Sequence, residues 1–282
     1  MFCPYLNGSY PINMGCGGSK SHKKEKLNMD MQKTDISDID SIFETASAPL
    51  ATLAEVNNML KKAENKIRRR THAYLVTGCS IEDSITALLY GLSATTDGDY
   101  DKIDLVVVTE SPYLKISRHK CDEEVHDAID AWNYLVEKIV DSAVKLADLP
   151  AQITQIVQDA PGFSDRATEA IKSSNLNAFE SIKAGKAIAS NVATISKATS
   201  VLAETTRLLT DLTKAVQGLS KKLDHEGRQK IHAVGKLAHK NKVKSMREIV
   251  VNYWPEKTKV DIKLERPRKS KPGAGAAPKT AH

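Results

Sequence analysis

The stretch NAFESIKAGKAIASNVATISKATSVLAETTRLLTDLTKAVQGLSKKL, residues 177–223, decides the fold. Ala184, Ile188, Asn191, Ile195, Ala198, Leu202, Thr205, Leu209, Leu212, Val216, Leu219 and Leu223 succeed one another at alternating spacings of four and three, and no proline interrupts them. Such a stripe stays on one face of an α-helix for its whole length. A helix over these residues would be roughly 69 Å long at ~1.5 Å per residue, longer than the ~50 Å diameter of a compact chain of this size. Gly185 and Gly218 are the candidate break points. The stripe mixes Ala, Thr and Asn with Leu and Ile, so helices approach closely but bury less apolar area per turn than a leucine seam. This favours an intramolecular bundle, or one that exchanges partners, over a permanent two-stranded rod.

The same period recurs outward from this segment. Val125, Ile129, Trp132, Val136, Ile139, Ala143 and Leu146 form a heptad seam over a helix expected from about residue 121 to 149. Pro150 ends it or opens the next helix, and Pro161-Gly162 is expected to stop that one. Upstream, Ser47 before Ala48-Pro49 reads as a helix start, followed by Leu50, Leu53, Val56, Leu60, Ala63 and Ile67, with Arg68, Arg69 and Arg70 at the favourable C-terminal end. Ser80 and Asp83 resemble a capping box ahead of Ile81, Ile85, Leu88, Leu89 and Leu92. Residues 103–117 hold short apolar runs that suit a β-hairpin or a buried loop.

These patterns predict a mainly α fold. It is an elongated helical bundle with long heptad-like helices, a small β element or buried loop around 103–117, and disordered N- and C-terminal tails. The expected divisions are a disordered leader over 1–35, the bundle over 36–250, a short extended segment over 251–265, and a disordered basic tail over 266–282.

Of the 282 residues, only 5% are aromatic, which disfavours an aromatic-rich β-sandwich. The formal charge of +6 hides a partition: +3 over residues 14–33, −8 over 34–220 and +11 over 221–282. An acidic middle between basic ends points to an anionic partner, either a lipid surface or nucleic acid. The four cysteines form no CxxC and no regular framework, which fits a reducing compartment. No run reaches the ~18–20 apolar residues of a membrane span.

The most specific motif is Met14-Gly15-Cys16-Gly17-Gly18-Ser19-Lys20, which fits the N-myristoylation pattern with Gly15 as acceptor. Cys16 beside it suits palmitoylation, and Lys20, Lys23, Lys24 and Lys26 follow. The combination has a physical reason: one myristoyl chain binds membranes only marginally (K on the order of 10⁴ M⁻¹), and a second chain or a basic patch makes residence durable. Each lysine near an anionic leaflet adds about 1 kcal/mol. Met14–Lys26 resembles the dual-acylation leaders of inner-leaflet proteins, a targeting class rather than a family. The expectation requires either translation from Met14 or a cleavage that exposes Gly15, since Gly15 is otherwise internal.

Asp224 to Arg247 reads as one basic amphipathic helix. Ile231, Val234, Ala238 and Ile249 lie on one face, and Lys230, Lys236, Lys240, Lys244 and Arg247 on the other. His225, His232 and His239 border the basic face about 10.5 Å apart, too far to share a metal. No phosphate loop, dinucleotide fingerprint, HExxH or nucleophile elbow is present, and His119, Cys121 and His126 lack zinc-finger spacing.

The expectation is therefore a non-enzymatic, lipid-anchored helical scaffold at the cytoplasmic face of a membrane. No cofactor and no metal is expected. Its partners would be anionic lipids and proteins, including further copies of itself, held through helical seams. The alternative is a nucleic-acid-binding protein using the basic C-terminal third.

Overall fold

The computed structural model describes residues 26–75, 80–95, 107–110, 113–116, 123–222, 225–243 and 245–253. The leader motif and the 266–282 tail lie outside them, as does the 254–265 part of the expected extended segment.

The architecture is a bundle built along three helical rows. α1 spans Ser37–Arg70. α3 (Glu123–Leu146) and α4 (Leu149–Ser173) form a second row, and α5 (Ala178–Lys222) is the third. Pairings across the rows give their directions. Glu55 with Lys145 and Arg70 with Asp127 run α3 antiparallel to α1. Phe43 meets Phe163 edge-on, ring centres 6.0 Å apart, so α4 continues the antiparallel row towards the start of α1. Asp35 pairs with Lys183 and Asn57 with Thr205, both 148 residues apart, so α5 runs parallel to α1 in constant register. α5 is 45 residues long, about 68 Å at ~1.5 Å per residue.

The heptad stripes build the core. Ile39, Phe43, Leu50, Leu53, Leu60 and Ile67 of α1 are buried against Ile129, Trp132, Leu135 and Ile139 of α3 and Ala184, Ile195, Ala198 and Leu212 of α5. In α3, Ser142 is buried rather than the expected Ala143, which is exposed. Ser142 of α3, Asn57 of α1 and Thr205 of α5 are all fully buried. The Asn57 side-chain amide donates to the Thr205 hydroxyl at 2.7 Å. A polar pair inside an aliphatic core favours one register over its slipped alternatives.

Several expected breaks are absent. α1 runs through Pro49 without interruption, and α4 runs through Pro161-Gly162. A mid-helix proline costs about 3 kcal/mol. Here each proline, half-buried at 49 and exposed at 161, is flanked by buried side chains, Leu50 and Leu53 in α1 and Ile153, Ile156 and Phe163 in α4, and their burial at ~1.5–3 kcal/mol each outweighs that cost. α5 is likewise unbroken at Gly185 and Gly218. Pro150 opens α4 within its first turn.

The far end of α1 is sheathed by short elements. Thr71 and His72 (φ 53°) turn the chain into a 3₁₀ turn, Ala73–Leu75. α2 (Ile81–Thr95) begins with reciprocal capping, the Ser80 N–H donating to Asp83 at 2.6 Å and the Asp83 N–H to Ser80 at 3.2 Å. A short antiparallel pair, β1 (Val107–Glu110) and β2 (Tyr113–Ile116), has Val107 opposite Ile116, and β2 lies against α3 and α5.

The expected single basic helix is two. α6 is His225–Lys240, and α7 is Met246–Tyr253. Lys242, at φ 53°, turns the chain between them, so Arg247 belongs to α7. Residues 251–253 are helical rather than extended.

Candidate functional site

The leader does not remain unstructured to residue 35. Residues 26–34 form an extended strap laid along α1 and α5. Leu27, Met29 and Met31 alternate with polar residues, and this period of two suits an extended chain. Met29 is buried, and Leu27 and Met31 pack on the same core.

Two asparagines hold the strap by imitating a neighbouring strand. Asn58 of α1 accepts from the Leu27 N–H at 3.0 Å, and its amide donates to the Leu27 carbonyl at 2.8 Å. Asn191 of α5 does the same for Gln32, at 2.7 and 3.1 Å. In an extended chain, the N–H and C=O of one residue point to the same side, and those of the next residue point to the other. Leu27 and Gln32 are five residues apart, an odd number, so one faces α1 and the other α5. The strap thus sits in the groove between the two parallel helices.

At its end the chain enters α1 through Asp35, in the left-handed region at φ 65°. Thr34 donates from both its backbone and its hydroxyl to Asp40, at 2.7 and 2.8 Å. The Lys183 ammonium beside Asp35 holds that carboxyl below its usual range, and Asp35 in turn raises Lys183. Both groups are exposed.

The expected lipidation residues and the expected anion-binding residues fall in three groups. Gly15, Cys16, Lys20, Lys23, Lys24 and Lys244 lie outside the described residues. Lys230 lies on α6, but its side chain is outside the description. Lys26, Lys236 and Lys240 are exposed, and so is Arg247, on the separate helix α7.

What presents the α6 lysines is its apolar face. Ile231, Val234 and Ala238 are buried, and α6 packs on α2. The Ser93 hydroxyl of α2 donates to the Ile231 carbonyl at 2.8 Å. Gly235 makes the close approach possible: a Cβ there would lie 2.0 Å from the Ser93 hydroxyl oxygen and 2.9 Å from its backbone. α7 seats on the same platform through Met246, whose N–H donates to Glu124 at 2.9 Å.

Elsewhere the described surface offers little preorganised chemistry. The cleft between the strap and α1 is lined by Met31, Lys33, Asp40, Phe43 and Glu44 with neighbouring serines, without His or Cys. Among the described residues no three His, Cys, Asp or Glu are grouped to hold a metal, and no helix is long and apolar enough to cross a membrane.

Sequence reasoning missed the strap and its clamps. The alternation of Leu27, Met29 and Met31 was the available signal, and Asn191 was visible only as a polar member of the α5 stripe. No protein-family model matches the chain, and no curated protein or solved structure matches it.

Proposed function

We propose that the protein is a lipid-anchored helical scaffold at the cytoplasmic face of a membrane. Myristate on Gly15 and palmitate on Cys16 would supply the anchor, and Lys20–Lys26 the first electrostatic contact. The observation that carries this reading is the density of signals: an acyl-acceptor pattern and four lysines lie within thirteen residues of Met14 and lead directly into the strap. The exposed lysines of α6 add a second basic surface worth about 1 kcal/mol per residue beside an anionic leaflet. The long bundle would then present its seams and its acidic middle to protein partners.

The test uses the chain started at Met14 with a fluorescent protein at its C-terminus. Membrane decoration is expected, together with the mass of a myristoyl group on Gly15. Gly15→Ala should release the fusion into solution, and a Gly15→Ala protein that stays fully on membranes would sink the anchor.

A second reading is supported by the +11 of residues 221–282 and by the exposure of Lys236, Lys240 and Lys242. Nucleic acid would bind there through phosphate charge. Binding to duplex DNA that falls steeply between 50 and 200 mM salt, on the order of 10³-fold, and persists in Gly15→Ala would favour it.

A further inference from the structure

The strap gives the leader a direction. Going backwards along the chain, Asp35 meets Lys183 near the start of α1, Gln32 meets Asn191, and Leu27 meets Asn58 deep along α1. Read from Asp35 back to Leu27, the strap therefore runs towards the Arg70 end of the bundle, away from the α4–α5 turn.

Its length agrees with that direction. Gly15 is twelve residues from Leu27. The average end-to-end span of twelve residues without regular structure is about 19 Å as a general polymer figure. From Asn58 to Arg70 is about 18 Å along the helix, whereas from Asn58 back to Ser37 is about 32 Å, well beyond that average but within the ~40 Å full stretch of twelve residues. An acyl group on Gly15 thus reaches the Arg70 end at the average span of such a chain and the other end only at a much larger extension.

The Arg70 end has a suitable surface. Tyr74 is 57% exposed and Leu75 39% exposed, on the 3₁₀ turn that follows Arg69 and Arg70. That turn packs on α7, whose Val251 is 45% exposed and whose Arg247 is exposed. Aromatic and aliphatic tips with arginines beside them suit the boundary between headgroups and acyl chains.

We propose that the protein stands on an anionic bilayer through Tyr74, Leu75 and Val251, with Arg69 and Arg247 at the headgroups. This rests on the acyl-anchor reading above. The opposite end, where Phe179 is 77% and Ile182 59% exposed, then faces the solution about 50 Å away along α1.

The experiment is hydrogen exchange on the full chain started at Met14 and myristoylated, with and without vesicles of phosphatidylcholine and phosphatidylserine. Vesicles should slow exchange in residues 69–75 and 247–252 and leave 174–183 unchanged. Slowing at 174–183 instead, or at neither end, overturns this orientation while leaving the anchor intact. If the acylated chain does not bind the vesicles, both readings fail together. A Tyr74→Ser, Leu75→Ser double variant should bind the vesicles about tenfold more weakly, with an unchanged melting temperature, whereas Phe179→Ser, Ile182→Ser should bind like the parent. Equal affinities for all three would also overturn the proposal.

Discussion

The two ends of the bundle are closed by different means, although the same helices α1 and α5 pass through both. At the Ser37 end the closure is aromatic: Phe43 lies against Phe163, and the strap fills the groove alongside. At the Arg70 end the closure is by thin contacts, with α6 on α2 through Gly235 and Ser93, and α7 on α2 through Met246 near Gly91. Bulky rings tolerate small backbone shifts, whereas helices in near-backbone contact do not. One end should therefore fail by losing volume and the other by gaining it.

Phe163→Ala tests the first half of that contrast and should have the largest effect. Removing a buried phenylalanine ring costs about 3–5 kcal/mol. Thermal melting should fall by about 10 °C, at roughly 2–4 °C per kcal/mol for a chain of this size. A change below 2 °C, on the same scale, would mean that the aromatic pair does not secure this end.

Gly235→Ala tests the second half. The new methyl must push α6 off Ser93 and break the bond to the Ile231 carbonyl. Overpacking of this kind costs about 1–3 kcal/mol, offset by about 1 kcal/mol of helix propensity. Exchange should speed up in α6 and α7 and stay unchanged around Phe43. Uniform change across both ends would show that they are not independent.

Asn58→Ala isolates the strap. It removes two hydrogen bonds, and a net ~1–2 kcal/mol is expected. Limited proteolysis should cut within residues 26–31 sooner, with little change in the global melt. Resistance equal to the parent would assign the strap's hold to Met29 alone.

The smallest effect concerns pH. The Asp35 carboxyl is lowered from 3.8 by Lys183, first through their hydrogen bond and then through charge. Its contribution is present above the ordinary carboxylate range and is lost as pH falls through the lowered value. Exchange at residues 33–36 should rise only in strong acid, and Asp35→Asn should show that faster exchange already at pH 7, a small effect for a pair screened by solvent. A pair this exposed does not move the melt.

Much of this contrast could be read in the residues. The α5 stripe, the α3 seam and the Ser80–Asp83 box encode local geometry directly, because spacing alone sets which face a side chain occupies. Pro49 and Pro161 misled because their local cost is overruled by burial of neighbours that become neighbours only after folding. The break at Lys242 carries no proline or glycine and depends on α7 finding its seat beside Glu124. The strap was obscured by composition: Leu27, Met29 and Met31 sit among lysines and polar residues, and the groove they fill is made by residues up to 159 positions away.

That separation has a consequence during synthesis. The groove for Gln32 does not exist until Asn191 has been made, which at about 5–20 residues per second takes roughly 8–30 s after Gln32 itself. During that interval the nascent leader is free of the bundle and open to any enzyme acting on an emerging N-terminus. Completion of α5 then supplies the second wall of the groove, so the order of events is set by the topology of the chain.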